Sequence, residues 1–224
     1  EVVSKQGDVW GYANTQYWAP NHTYYFGALA PVENAHWSVD LADDLNGADK
    51  GLGTVAFENV EGTEDLLYAK AKTTTPDMAT LSTQGKEAVK MQFQHLLSKV
   101  KFTFQNGFAT SNMTVKVSNV KMEVAKEATI NLAADTYNWT GHTGETELVF
   151  GETAVLEATK AGEATDERLT IPAGADAVYA VSFDVEVKSG GVVALQTKKE
   201  ATISGYALEM GKAYNFTAEI NPEN

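Results

Sequence analysis

The most ordered hydrophobic pattern in the chain covers residues 89–104, VKMQFQHLLSKVKFTF, and it changes phase partway along. Val89, Met91 and Phe93 alternate with Lys90, Gln92 and Gln94, which is the period of a half-buried strand. Beyond His95 the apolar positions move to Leu96, Val100, Phe102 and Phe104. A slip of one residue turns every side chain to the opposite face, so one regular strand cannot bury both sets against one core. A bulge, a kink or a passage between sheets at residues 95–99 reconciles them. A helical turn at residues 94–99 is the alternative, because Phe93, Leu96, Leu97 and Val100 fall at helical spacing. The strand-like flanks and the short apolar run favour the strand.

The rest of the chain reads as a succession of strands. Residues 24–29, 36–41, 55–57 and 66–69 are short candidates, and turn residues such as Pro31 and Asn34 separate the first two. Residues 73–87 are polar, Thr-rich and aperiodic, which predicts a loop. After the Gln105-Asn106-Gly107 turn, residues 113–124 alternate with a phase slip at Ser118–Asn119. Residues 128–132, 147–150, 155–158 and 169–171 follow as shorter strands, with Pro172 ending the last of them. Residues 137–141 read as a loop with anchored aromatics. Residues 178–187 alternate cleanly, and Ser189-Gly190-Gly191 turns them into residues 192–197 as a hairpin. A final strand carries Tyr214, Phe216, Ala218 and Ile220 on one face. Many strands and no convincing helix predict an all-β fold, one β-sandwich or a pair of them.

Composition narrows the function classes. The 224 residues suffice for one large or two small β domains. A net charge of −13 opposes sequence-independent nucleic-acid binding and gives no attraction to anionic lipid. The chain has no cysteine, which excludes disulfides, thiolate zinc sites and cysteine nucleophiles. No signal peptide or transmembrane run is visible.

Candidate chemistry is sparse. His22, His36, His95 and His142 are scattered and form no HExxH pair; GxSxG, P-loop and strand-linked GxGxxG patterns are absent. Residues 40–50 gather four Asp and one Asn but miss the EF-hand spacing, so they read as an acidic surface loop. His95 reads as a structural histidine bonded to the backbone. We therefore expect no catalytic residue, no metal ligand, no cofactor and no enzymatic activity. The aromatic residues crowded into positions 1–37 offer one binding possibility: Trp10, Trp18 and Trp37 as stacking platforms for glycans, set against the plainer reading that they fill a sandwich core.

Several stretches resemble the fimbrillin-like proteins of Bacteroidales, which are surface lipoproteins and pilus subunits related to major and minor fimbrilins. They are Asp65-Leu66-Leu67-Tyr68-Ala69, the FxHxLSKV element from Phe93 to Val100, Leu169-Thr170-Ile171-Pro172 and Gly211-Lys212-Ala213-Tyr214-Asn215-Phe216. The resemblance implies two transthyretin-like (Greek-key) β-sandwich domains, divided as 1–105 and 106–224, with the FxHxLSKV strand closing the first. It implies a cell-surface fimbrial subunit or fimbria-associated adhesin at the outer membrane, whose partners are other fimbrial subunits joined by β-strand exchange, together with host or bacterial surface receptors. Membrane association would come only through an N-terminal lipid anchor, whose cysteine this chain lacks. The family also has a further strand after the equivalent of Ile220, ending in tryptophan.

Overall fold

The fold is nearly all β, as the alternation predicts. The structure, a computed structural model, describes residues 4–7, 9–11, 17–32, 36–41, 52–83 and 88–223. Most of residues 40–50, the acidic loop of the sequence analysis, therefore lies outside the described residues.

Among the described residues, fourteen strands and one short helix follow in chain order. They are β1 (Ser4–Gln6), β2 (Val9–Gly11), β3 (Thr23–Ala30), β4 (Trp37–Leu41), β5 (Gly53–Glu58), β6 (Leu67–Thr74), α1 (Met78–Thr83), β7 (Gln94–His95), β8 (Ser98–Asn106), β9 (Met113–Asn131), β10 (Trp139–Gly151), β11 (Arg168–Thr170), β12 (Val178–Ser189), β13 (Val192–Ser204) and β14 (Ala213–Ile220). β1 and β2 form a hairpin; the other strands make a six-stranded sheet ordered β13-β12-β9-β5-β4, with β10 also on β9, and two three-stranded sheets, β11-β8-β14 and β3-β6-β7.

The long strand β9 organises the six-stranded sheet. Its first part pairs with β12, its last part with β5, and β10 runs antiparallel to it from Val120 to Ile130. Two hydrophobic cores form along it. The first gathers Val100, Phe102 and Phe104 of β8, Val115 to Val124 of β9, Leu148 and Phe150 of β10, and the inward side chains of β12. The second gathers Val55, Phe57, Leu66, Tyr68, Leu96, Leu97, Ala128, Ile130 and Trp139. The sheet holding β8 thus covers one half of the six-stranded sheet, and the sheet holding β6 faces the other half.

The phase change at residues 95–99 is a passage between sheets. Gln94 and His95 pair with Tyr68 and Leu67 of β6, whereas β8 pairs with β11 and β14. Leu96 and Leu97 enter the second core, Val100 and Phe102 the first, and buried Ser98 donates its hydroxyl to the Glu209 carbonyl at 2.8 Å. The slip at Ser118–Asn119 is likewise real. Asn119 adopts a positive φ of 52°, where the β9–β12 register shifts between Ser182 and Asp184.

Three expectations are corrected. Residues 88–93 are not strand, and Phe93 is 44% exposed, because their alternation meets no partner strand among the described residues. Residues 155–158 supply only an isolated bridge from Leu156 to Val115. The predicted loop at 73–87 contains the end of β6 and helix α1, whose first turn is capped by Asp77: its Oδ1 accepts the Thr80 N–H at 2.8 Å.

Candidate functional site

Two sheet edges of the first core, β14 and β13, end on the same flank of the described residues. β14 lies parallel to β8, with Tyr214 beside Val100, Phe216 beside Phe102 and Ala218 beside Phe104. The Lys99 N–H donates to the Lys212 carbonyl and the Gly107 N–H to the Ile220 carbonyl, both at 2.9 Å. The N–H and C=O of one strand residue point the same way and alternate along the strand. Even-numbered residues of β14 therefore bond to β8, and Ala213, Asn215 and Thr217 turn their backbone groups away from it. No strand pairs with that outer edge among the described residues. The opposite side of β8 is closed: besides β11, the Thr165 N–H donates to the Phe102 carbonyl, Gly162 to Phe104, and Asn106 to the Lys160 carbonyl.

β13 is the matching edge of the facing sheet. Its inner face follows from its register with β12, since directly opposed residues of an antiparallel pair share a face. Ile203, Ala201, Lys199, Thr197 and Leu195 stand opposite Tyr179, Val181, Phe183, Val185 and Val187. The five β12 side chains are buried, but Leu195 and Ala201 are exposed and Thr197, Lys199 and Ile203 half-buried. Across the gap, Tyr214 and Phe216 are half-buried, and exposed Tyr206 closes the flank with its ring 5.9 Å from that of Phe216. The inner surface is thus incompletely covered at both edges, apolar on β14 and mixed on β13, where Thr197 and Lys199 stand among Leu195, Ala201 and Ile203. A further strand placed on β14 would bond to its free backbone groups and cover the inner face of β13.

The two edges differ in chemistry. β13 carries Lys198 and Lys199, and a β-bulge where Val187 and Lys188 oppose Leu195 and Val193; charge and bulges are both means of keeping an edge strand from pairing. β14 carries no lysine, proline or bulge.

The three tryptophans fall in different settings. The Trp10 side chain lies outside the described residues. Trp18 is half-buried, its ring centroid 4.9 Å from Tyr24 and 5.8 Å from Phe26. Trp37 is also half-buried, packs against the second core and donates its indole N–H to the Pro31 carbonyl at 2.8 Å. No ring contact joins Trp18 to Trp37 among the described residues. Trp139, one of the anchored aromatics expected at residues 137–141, opens strand β10 rather than lying in a loop: it is buried against Phe57 and donates its N–H to the Leu96 carbonyl at 2.7 Å. His95 is exposed, and its Nδ1 donates to Asp65 Oδ2 at 2.7 Å, a carboxylate rather than the expected backbone group. Among the described residues no three His, Asp or Glu side chains are placed to hold a metal ion, and no helix is long and apolar enough to cross a membrane.

The sequence model of a family described as fimbrillin-like matches residues 1–224. No curated protein sequence matches the chain. Among solved structures, a candidate cell adhesion protein from Bacteroides ovatus is similar at a TM-score of 0.50 and 15% identity, over 97% of this chain and 69% of that one. One from Bacteroides fragilis gives 0.47 and 15%, over 95% of this chain, which spans 65% of that protein's length. The fimbrial anchor protein of Porphyromonas gingivalis gives 0.33 and 10%, over 84% and 76% of the two chains.

Proposed function

The chain belongs to the fimbrillin-like family, and from that premise we propose that it is a non-enzymatic subunit or accessory adhesin of a surface fimbria, joined to its neighbours by β-strand addition. The observation that carries the reading is the β14 edge. Ala213, Asn215 and Thr217 present unused backbone groups beside an apolar inner surface, next to an edge strand of the facing sheet. Strand addition draws affinity from main-chain hydrogen bonds and register from side chains that fill alternate pockets, and this flank offers both. On this reading the protein is exported to the cell surface as a lipoprotein, and receptors on host or bacterial cells are further partners.

Hydrogen exchange tests it. In the isolated chain the amides of Asn215 and Thr217 exchange fast while those of Phe216 and Ala218 are protected by β8. In an assembled fibre all four are protected. Protection of Asn215 and Thr217 in the lone chain, or their continued fast exchange in the fibre, sinks the reading.

A further inference from the structure

Lys199 places a cation on the inner face of this flank. It stands directly opposite Phe183 on β12, whose buried ring is 5.1 Å from Phe104 of β8. Lys199 therefore belongs to the inner face, while its neighbours Lys198 and Glu200 pair with each other on the outer face at 3.1 Å. It is half-buried, and its ammonium makes no salt bridge or hydrogen bond to the described residues. One strand outward from Phe104 on the facing sheet is Ala218, small and exposed. Lys199 and Ala218 thus stand at the same level on the two edges, one strand beyond the Phe104–Phe183 contact. Four residues back along β12, Tyr179 is 4% exposed in the core against which Tyr214 packs, and its hydroxyl makes no hydrogen bond to the described residues.

An apolar strand laid over Lys199 would bury an ammonium with nothing to compensate it, which is unfavourable. A carboxylate at that level reverses the sign, because the pair is formed where water is excluded. The selection is local. With a net charge of −13 the protein exerts no long-range attraction on an acidic partner.

Resting on the strand-addition reading, we propose that the strand received at this flank comes from a partner polypeptide and carries an Asp or Glu at the inward position level with Ala218, where it ion-pairs with Lys199. The competing role for Lys199 is that of a guard, its stem lying along β13 and its ammonium turned to solvent, which keeps strands off the β13 edge without choosing among those that bind β14.

The experiment uses synthetic extended peptides of alternating Val and Thr. Glu, Gln or Lys replaces one inward Val at a time, and binding is titrated to the whole chain and to its Lys199→Met and Lys199→Glu variants, with thermal melts confirming that both are folded. We expect one position at which Glu binds about tenfold more tightly than Gln. That preference disappears in Lys199→Met and gives way to a preference for Lys in Lys199→Glu. Peptides that bind with no Glu preference at any position, or with one that survives in Lys199→Met, overturn the inference and leave strand addition standing. If no peptide of any pattern binds, strand addition itself fails and the inference falls with it.

Discussion

Two prolines one residue apart on β14 should have opposite effects. Ala218 turns its N–H toward β8, as the alternation fixed by the Lys212 and Ile220 carbonyls requires. Ala218→Pro removes a ladder bond and leaves its carbonyl partner on β8 unpaired, costing about 2–4 kcal/mol. For a chain of this length that lowers Tm by about 5–15 °C. Thr217 points its N–H to the open edge, so Thr217→Pro removes no internal bond and should change stability by under about 1 kcal/mol. Its consequence falls on association. An arriving strand loses one donor and has one carbonyl left unpaired, which weakens binding about 10- to 100-fold. Thermal melts read the first effect; titration with extended peptides, or fibre formation followed by light scattering, reads the second. Equal destabilisation by the two prolines would refute the assignment of backbone directions. Unimpaired association of a folded Thr217→Pro chain would refute the choice of β14 as the receiving edge.

Trp139→Phe should cost about 2–4 kcal/mol in urea unfolding, since it leaves the Leu96 carbonyl without its donor and opens a gap against Phe57. Burial first, and then the neighbouring Tyr214 phenol, push the Tyr179 phenol from 10.0 up to about 12. A raised folded pKa gives stability that is whole below pH 10 and lost as pH climbs toward 12, so Tyr179→Phe should gain on the parent across that window while matching or exceeding it by up to about 1 kcal/mol at pH 7. Residues 1–105 and 106–224, expressed separately, should not both fold, because residues 98–104 supply Val100, Phe102 and Phe104 to a core otherwise built from later strands; two independently melting halves would support a boundary at 105/106. Trp18→Ala should destabilise the face made by Tyr24 and Phe26, and a loss of polysaccharide retention without a loss of stability would favour the glycan-binding reading instead.

Much of the fold was legible because burial and alternation coincide in the long strands. Tyr179, Val181, Phe183, Val185 and Val187 are both the alternating residues of the sequence and the buried residues of β12. The pattern misled where alternation occurs without a neighbour, as at Val89, Met91 and Phe93. It also understated β13, read only to residue 197, because an edge strand with few buried residues has little hydrophobic contrast to display. The cap at Asp77 was present in the sequence but was outweighed by the Thr-rich composition around it.

The candidate site was hidden for a different reason. An open flank is a property of sheet order, and no periodicity along one segment reports which strand ends a sheet. Residues 214, 216, 218 and 220 were placed on one face from sequence, yet only the parallel pairing with β8 shows that the face is half covered. Lys199 illustrates the same limit. In sequence it belongs to a solvated Lys-Lys-Glu run, and the bulge near Val193 decides that it, rather than Lys198, shares a face with Phe183. A one-residue insertion in the Gly190-Gly191 turn that shifted the β12–β13 register would exchange the two lysines. Such a variant should keep the total charge of the edge but lose the preference for a carboxylate-bearing strand, which separates the position of the ammonium from its mere presence.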